Sequence, residues 1–511
     1  MFFLRAAKAG LTLAAVVVAI CSSLAPAQQA VEIRVEAKKT HQSMEGFGAT
    51  TWTLYQPTAS PAFKDLLGDS LGPMRERVLD AVYGQVRLTM GNLGIGPVET
   101  AGSEGNPGND NDDPAVIDWS GFDTRGADGA KKLVVDLAAK HGFDNYSLAG
   151  NIDWRWRSAW MGELYKKDHA RGLEECAEYV EAAVTHWQKI NGTLPRTIHL
   201  FNEPTSGNGE LRGGNAETVR DIVKCAGRRL RQRGFKDIKF VVPNEETVSR
   251  SLACAKVILE DEEARGFVAA VGYHCYPYGS PYASVPRILA ASGRGKPHEG
   301  SVAERAALRE LCAKYNLPAW MTEVSHGEVQ PQSFDHLRGR AIHIHDELLY
   351  ADAAAYYGML AFWDKKSHDA HYAGRSNAGL YSEQDSIVLA DNDKQEVLIT
   401  GIGYAIGHYA RWIKRDAVRL EATSSDPLVQ VTAFNDAASG RLVLVIINNN
   451  SEAKSLDVRV SDLAVKGPVT GEQSVAHHYW TKIAELTQAA ADRLTIDLPA
   501  MSVTTLAAGA K

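Results

Sequence analysis

From about residue 46 to residue 410, short apolar runs alternate with longer segments in which apolar positions recur at helical spacing. The strand-like runs are Gln85 to Leu88, Asn145 to Leu148, Thr197 to Phe201, Lys239 to Val242, Val268 to Gly272, Pro318 to Met321 and Ala355 to Phe362. Helical patterns lie between them, at Ala127 to His141, His169 to Asn191, Ala216 to Gly234, Ser301 to Tyr315 and Leu337 to Leu349. Strands that alternate with helices of this length predict parallel β-α units. With Met44 to Thr51 as the first strand, the series has the eight strands of a closed (β/α)8 TIM barrel over residues 46–414.

Beyond about residue 415 the pattern changes to short β-like runs: Val418 to Glu421, Val429 to Asn435, Leu442 to Asn448, Leu456 to Val460, His477 to Tyr479 and Arg493 to Leu498. Asp, Asn, Ser and Gly separate them, which predicts an antiparallel, β-sandwich-like side domain over residues 415–511. Val31 to Ala37 also alternates, so the segment 28–45 is expected to join that sheet although it precedes the barrel. Gly102 to Asp113, rich in Gly, Asn and Asp, reads as a long solvated loop on the catalytic face; its Asp110, Asp112 and Asp113 do not have the spacing of a known calcium loop.

Residues 1–27 have the three parts of a secretory signal peptide: basic Arg5 and Lys8, an apolar run from Leu11 to Ile20, and the small-residue site Ala25-Pro26-Ala27. The run is too short to anchor in a bilayer, so cleavage after Ala27 and a secreted or periplasmic product without membrane insertion are expected. Cleavage moves the formal charge from -7 to -9, because two basic residues leave. A mildly acidic chain without a basic run argues against nucleic-acid binding. Cys176, Cys225, Cys254, Cys275 and Cys312 show neither C-x-x-C nor Cys/His metal spacing, and neither a metal nor a cofactor is expected.

The candidate chemistry lies in Leu200-Phe201-Asn202-Glu203-Pro204 and Trp320-Met321-Thr322-Glu323-Val324. Each run presents a glutamate at the carboxyl end of an apolar strand, just before the chain turns. Two carboxyls at the mouths of two barrel strands are what glycosidic acid/base chemistry requires. Ten tryptophans and eighteen tyrosines fit a carbohydrate substrate, whose rings stack on flat aromatic faces, although any core also uses aromatics.

Several runs resemble glycoside hydrolase family 30. Gln42-Ser43-Met44-Glu45-Gly46-Phe47-Gly48 is similar to its opening strand, and Asn202-Glu203-Pro204 and Thr322-Glu323 to its acid/base and nucleophile motifs. Gly272-Tyr273-His274-Cys275-Tyr276-Pro277 resembles its sixth-strand segment, and Tyr404 to Ile413 the helix that leads from barrel to side domain. The resemblance implies a retaining mechanism with Glu203 as acid/base and Glu323 as nucleophile. Glucosyl, xylosyl, galactosyl and fucosyl linkages all fall within the family.

Further candidates surround the pair. Asn202 is placed to hydrogen-bond a sugar 2-hydroxyl. Arg87 is expected at the end of the second strand, where it would keep Glu323 ionised. His274 and Tyr276, at the end of the sixth strand, would orient the nucleophile or touch the sugar. Trp52, Trp154 and Trp363 follow or end the first, third and eighth strands and are candidate sugar platforms. An arabinofuranosidase of a sibling barrel family would carry the same two glutamates. A carbohydrate-binding protein that had lost catalysis would normally have lost one of them.

Overall fold

The computed structural model describes residues 30–51, 74–94, 98–99, 109–123, 128–149, 160–205, 211, 214–276, 285–293, 295, 299–325, 330–373, 385–486, 490 and 492–510. The signal-peptide segment and the candidate platforms Trp52 and Trp154 lie outside them.

Eight parallel strands close a barrel: Gly46–Thr50, Met90–Gly94, Tyr146–Ala149, Thr197–His199, Lys239–Glu245, Val268–His274, Ala319–Glu323 and Ala353–Asp364. Each pairs with its successor, and the eighth closes on the first through Ala355 opposite Gly46. These strands are buried on both faces, which explains why they read as apolar runs rather than alternating ones. The helices around them carry standard stop and start signals. Asp168 caps His169–Asn191, which ends at Gly192 in a left-handed conformation, and Asn215 forms a capping box on Ala216–Gln232.

The second strand differs from expectation. Gln85 ends a π-helical turn, Asp80–Gln85, and the strand is Met90–Gly94. The alternation that suggested Gln85 to Leu88 has another cause. Val86 and Leu88 are buried while Arg87, with φ of 60°, turns outward between them. The true strand, Met-Gly-Asn-Leu-Gly, lacks the β-branched residues that mark strands in a sequence.

Nine strands form the second sheet, and the first of them comes from the start of the chain. Val31–Ser43 lies between Val418–Ser424, antiparallel, and Lys454–Ser461, parallel. Val31, Ile33 and Val35 point into the core of this sheet, while Glu32 and Arg34 face outward. Val465–Val475 and Ser502–Ala510, which the residue pattern did not single out, lie second and third from the edge formed by His478–Leu486.

The two parts are joined by specific contacts. Met44 bonds the turn before Val418–Ser424 in both directions, Met44 N–H to Ala417 O and Asp416 N–H to Met44 O, both 2.8 Å. Buried Arg419 donates to Asp352 and to Gln42, again at 2.8 Å each. On helix Gly401–Ala410, His408 bonds Thr505 Oγ1 at 2.9 Å and Ser474 Oγ at 2.8 Å; burial pushes its pKa down to about 3 and keeps it neutral. Trp480 Nε1 donates to Tyr404 O at 3.0 Å.

A truncation after Ile413 would leave Val31, Ile33 and Val35 without a sheet, at roughly 1.5–3 kcal/mol for each exposed side chain. The full chain is expected to melt in one calorimetric transition, and the truncated one to be insoluble. A truncated barrel that is soluble and melts cooperatively would show that the side sheet is a separable unit.

Candidate active site

The fourth barrel strand ends at His199, and the chain continues through buried Leu200 and Phe201 to Glu203. Glu203 adopts a left-handed backbone, φ 51°. Two bonds from the fifth strand hold it there: Glu203 N–H donates to Asn244 O, and Thr205 N–H to Glu245 Oε1, both at 2.9 Å. Asn244 also spans to the seventh strand, where Thr322 Oγ1 donates to its Oδ1 at 2.8 Å. One buried amide therefore contacts the segments of both glutamates. The sixth strand must pass this amide closely, and Gly272 allows it, since a Cβ there would overlap Asn244 Oδ1.

The two carboxyls meet around His274. Its Nδ1 lies 3.0 Å from Glu203 Oε1 and 3.8 Å from Glu323 Oε1. Ligand atoms of all three groups fall within 4.8 Å of one another. Tyr276 OH donates to Glu323 Oε1 at 2.7 Å. The His274 side chain is 3% exposed, Glu323 14% and Glu203 22%, so the cluster opens toward solvent on the Glu203 side.

Electrostatics couples these groups. Burial raises the pKa of Glu323, with Glu203 adding to the effect, while His274 and the Tyr276 hydroxyl pull it back; the net position is above the ordinary carboxylate value. Burial alone would lower His274, but Glu323, Glu203 and Glu245 outweigh it and hold the imidazole above its ordinary value. Deeper in the barrel, burial and the neighbouring His274 lower His199 to about 3, so it stays neutral against Trp320 and Tyr357.

The structure brings Glu203, Glu323, His274 and Tyr276 together, with Asn202 half-buried beside Glu203. Two expectations are corrected. Arg87 precedes the second strand rather than ending it, is exposed, and donates to Gly84 O at 3.3 Å, at the opposite end of the barrel. It cannot keep Glu323 ionised. Trp363 does stand near the carboxyl end of the eighth strand, but it is 1% exposed and packed edge-on against His368 and Tyr372, so its ring offers no face to a sugar.

Residue-level reading missed Asn244, Glu245 and Glu246. The available signal was Pro243-Asn244-Glu245-Glu246, two acids at the end of an apolar run. Glu246 is paired with Arg250 at 3.0 Å. The loop acids behave differently from one another: Asp112 pairs with Arg171 and Asp113 caps Ala115 N–H, whereas Asp110 approaches Glu175 and Glu178. Among the described residues, Cys176, Cys225, Cys254, Cys275 and Cys312 form no disulfide.

Comparison with known proteins bears on the whole arrangement. Residues 416–506 match the glycosyl hydrolase family 30 beta sandwich domain. That match covers the side domain alone. None of the curated proteins compared with the chain matches it. Among solved structures, the chain is similar to a family 30 subfamily 8 xylanase from Clostridium acetobutylicum, with a TM-score of 0.63 and 19% identity, covering 94% of this chain and 99% of that one. The catalytic domain of a family 30 xylanase C from Talaromyces cellulolyticus gives 0.63 and 17%, over 93% and 99%. An endo-beta1,6-glucanase gives 0.62 and 16%, over 93% and 94%. Barrel and side domain together thus have the fold of these three structures.

Because the Tyr276 hydroxyl favours the charged form of Glu323, Tyr276→Phe should move the Glu323 titration to higher pH. Carbon-13 spectra of glutamate-labelled protein would record this; an unchanged midpoint would remove Tyr276 from the account of the site.

Proposed function

We propose that this protein is a secreted retaining β-glycoside hydrolase that cleaves a polysaccharide or oligosaccharide by double displacement. The observation that carries the reading is the placement of Glu203 and Glu323, from the fourth and seventh barrel strands, around one imidazole with ligand atoms within 4.8 Å. Retaining enzymes need about 5 to 5.5 Å between carboxyls, whereas inverting enzymes need about 6.5 to 9.5 Å to admit a water.

In the first step Glu323 attacks the anomeric carbon, the bond to the leaving oxygen breaks, and Glu203 gives that oxygen its proton. In the second step Glu203 takes a proton from water, the water oxygen attacks the anomeric carbon, and the Glu323 ester bond breaks. Tyr276 favours the anionic form of Glu323 in the free enzyme and would hand that oxygen over as the ester forms. Asn202 would bind the sugar 2-hydroxyl, a contact that strengthens in the transition state. The signal-peptide pattern of residues 1–27 supports secretion. The xylanase and endo-beta1,6-glucanase neighbours make β-linked xylan and β-1,6-linked glucan the first substrates to test, with β-1,6-galactan and short exo-cleaved glycosides beside them.

Glu203→Ala should lose about 10²–10⁴-fold on substrates with poor leaving groups and far less on activated aryl glycosides. Added azide should restore turnover and yield a β-glycosyl azide. Equal losses on both substrate types without azide rescue would reverse the assignment. A slow 2-deoxy-2-fluoro glycoside of the accepted sugar should label Glu323 covalently; a label on any other residue in peptide mapping would exclude it as nucleophile.

A further inference from the structure

Behind the sixth barrel strand, on the side away from Glu203 and Glu323, lies a second buried ionic cluster. Strand alternation turns His274 toward the carboxyls and its neighbours Tyr273 and Cys275 outward to the helix layer. Both neighbours meet the same carboxylate there, Glu347 of helix Phe334–Tyr350. Tyr273 OH donates to Glu347 Oε2 at 2.9 Å, and Cys275 Sγ to Oε1 at 3.2 Å. Arg305 of helix Glu299–Tyr315 donates to Oε1 through Nε at 2.8 Å and also through Nη2, which reaches Cys275 Sγ at 3.4 Å. His343 Nε2 lies 3.1 Å from the same oxygen, and its Nδ1 lies 2.9 Å from Tyr356 OH.

Glu347, His343 and Tyr273 are fully buried, and Arg305 and Cys275 are 3% exposed. Burial would raise Glu347, but Arg305 and His343 outweigh it and hold the carboxylate well below its ordinary range. The sulfur, imidazole and carboxylate are also close enough to hold a metal ion. The Arg305 guanidinium already covers that carboxylate, and its charge would repel a cation. A buried ion pair of this kind adds little stability over well-packed apolar side chains, whereas its directional bonds fix geometry. Here those bonds end on the two residues that flank His274.

We propose that Glu347, clamped by Arg305, is a positioning residue: it fixes the Tyr273–Cys275 end of the sixth strand and so sets where His274 and Tyr276 stand against Glu203 and Glu323. The kinetic consequence rests on the glycosidase reading above; the structural one does not.

The test uses the full chain with labelled histidine and reads the His274 imidazole by NMR, its signal assigned by loss in His274→Gln. The groups that face this imidazole are Glu203, Glu323, Glu245, Glu246 and His199. In Tyr273→Phe the ion pair survives but the strand loses one anchor. The imidazole should then draw back from the carboxyls and titrate at lower pH than in wild type. Since a 1 Å displacement can cost about 10²-fold, kcat on an aryl glycoside should fall roughly tenfold, with KM within about twofold. Glu347→Gln should show the same changes, larger; if it fails to fold, Tyr273→Phe and Cys275→Ala decide. A wild-type His274 midpoint in folded Tyr273→Phe and Cys275→Ala would overturn the proposal. Absence of glycosidase activity in the wild type would count against the functional reading alone, with the titration still deciding the positioning role.

Discussion

Glu203 stands in a backbone conformation that non-glycine residues adopt at a cost of about 1–2 kcal/mol, and the site depends on what holds it there. Asn244 supplies the main restraint. Its carbonyl accepts from Glu203 N–H, and its side-chain oxygen accepts from Thr322, one residue before Glu323. Asn244 is itself left-handed, φ 60°, so two strained positions support each other across neighbouring strands. Parallel pairing makes this possible, because it places the fourth, fifth, sixth and seventh strands side by side and running in the same direction.

Charge organises the next layer. Glu203, Glu323, Glu245 and Glu246 converge on a region that contains His274 and Arg250. Burial first, with Glu203 adding to it, holds Glu323 above its ordinary value, and the surrounding carboxylates outweigh burial to hold His274 above its own. Behind the same strand, Glu347 and Arg305 form a separate ionic set whose bonds end on the neighbours of His274. Strand alternation keeps the two sets apart, one inside the barrel and one in the helix layer.

The side sheet takes its place from both ends of the chain. Val31–Ser43 has neighbours on either edge that come from beyond residue 417, and helix Gly401–Ala410 presents His408 to that sheet with both ring nitrogens bonded. A buried neutral histidine with two fixed partners tolerates little sliding, so the seam is specific as well as apolar.

Barrel class, side sheet and the two glutamates were legible in the residues because each rests on local pattern: apolar runs, helical spacing, and an acid where a strand stops. The sequence alone therefore determined that Glu203 and Glu323 end strands and that His274 and Tyr276 lie near them. It misplaced Arg87, since a left-handed residue between two buried ones imitates strand alternation, and it offered Trp363 as a platform although packing encloses the ring. Only the tertiary structure decided that Asn244 joins the two glutamate segments and that Glu347 meets both neighbours of His274. Those contacts link residues about 40 to 80 positions apart, Asn244 to Glu203 and Thr322, Glu347 to Tyr273 and Cys275. No local periodicity encodes which side chains a closed barrel will set face to face.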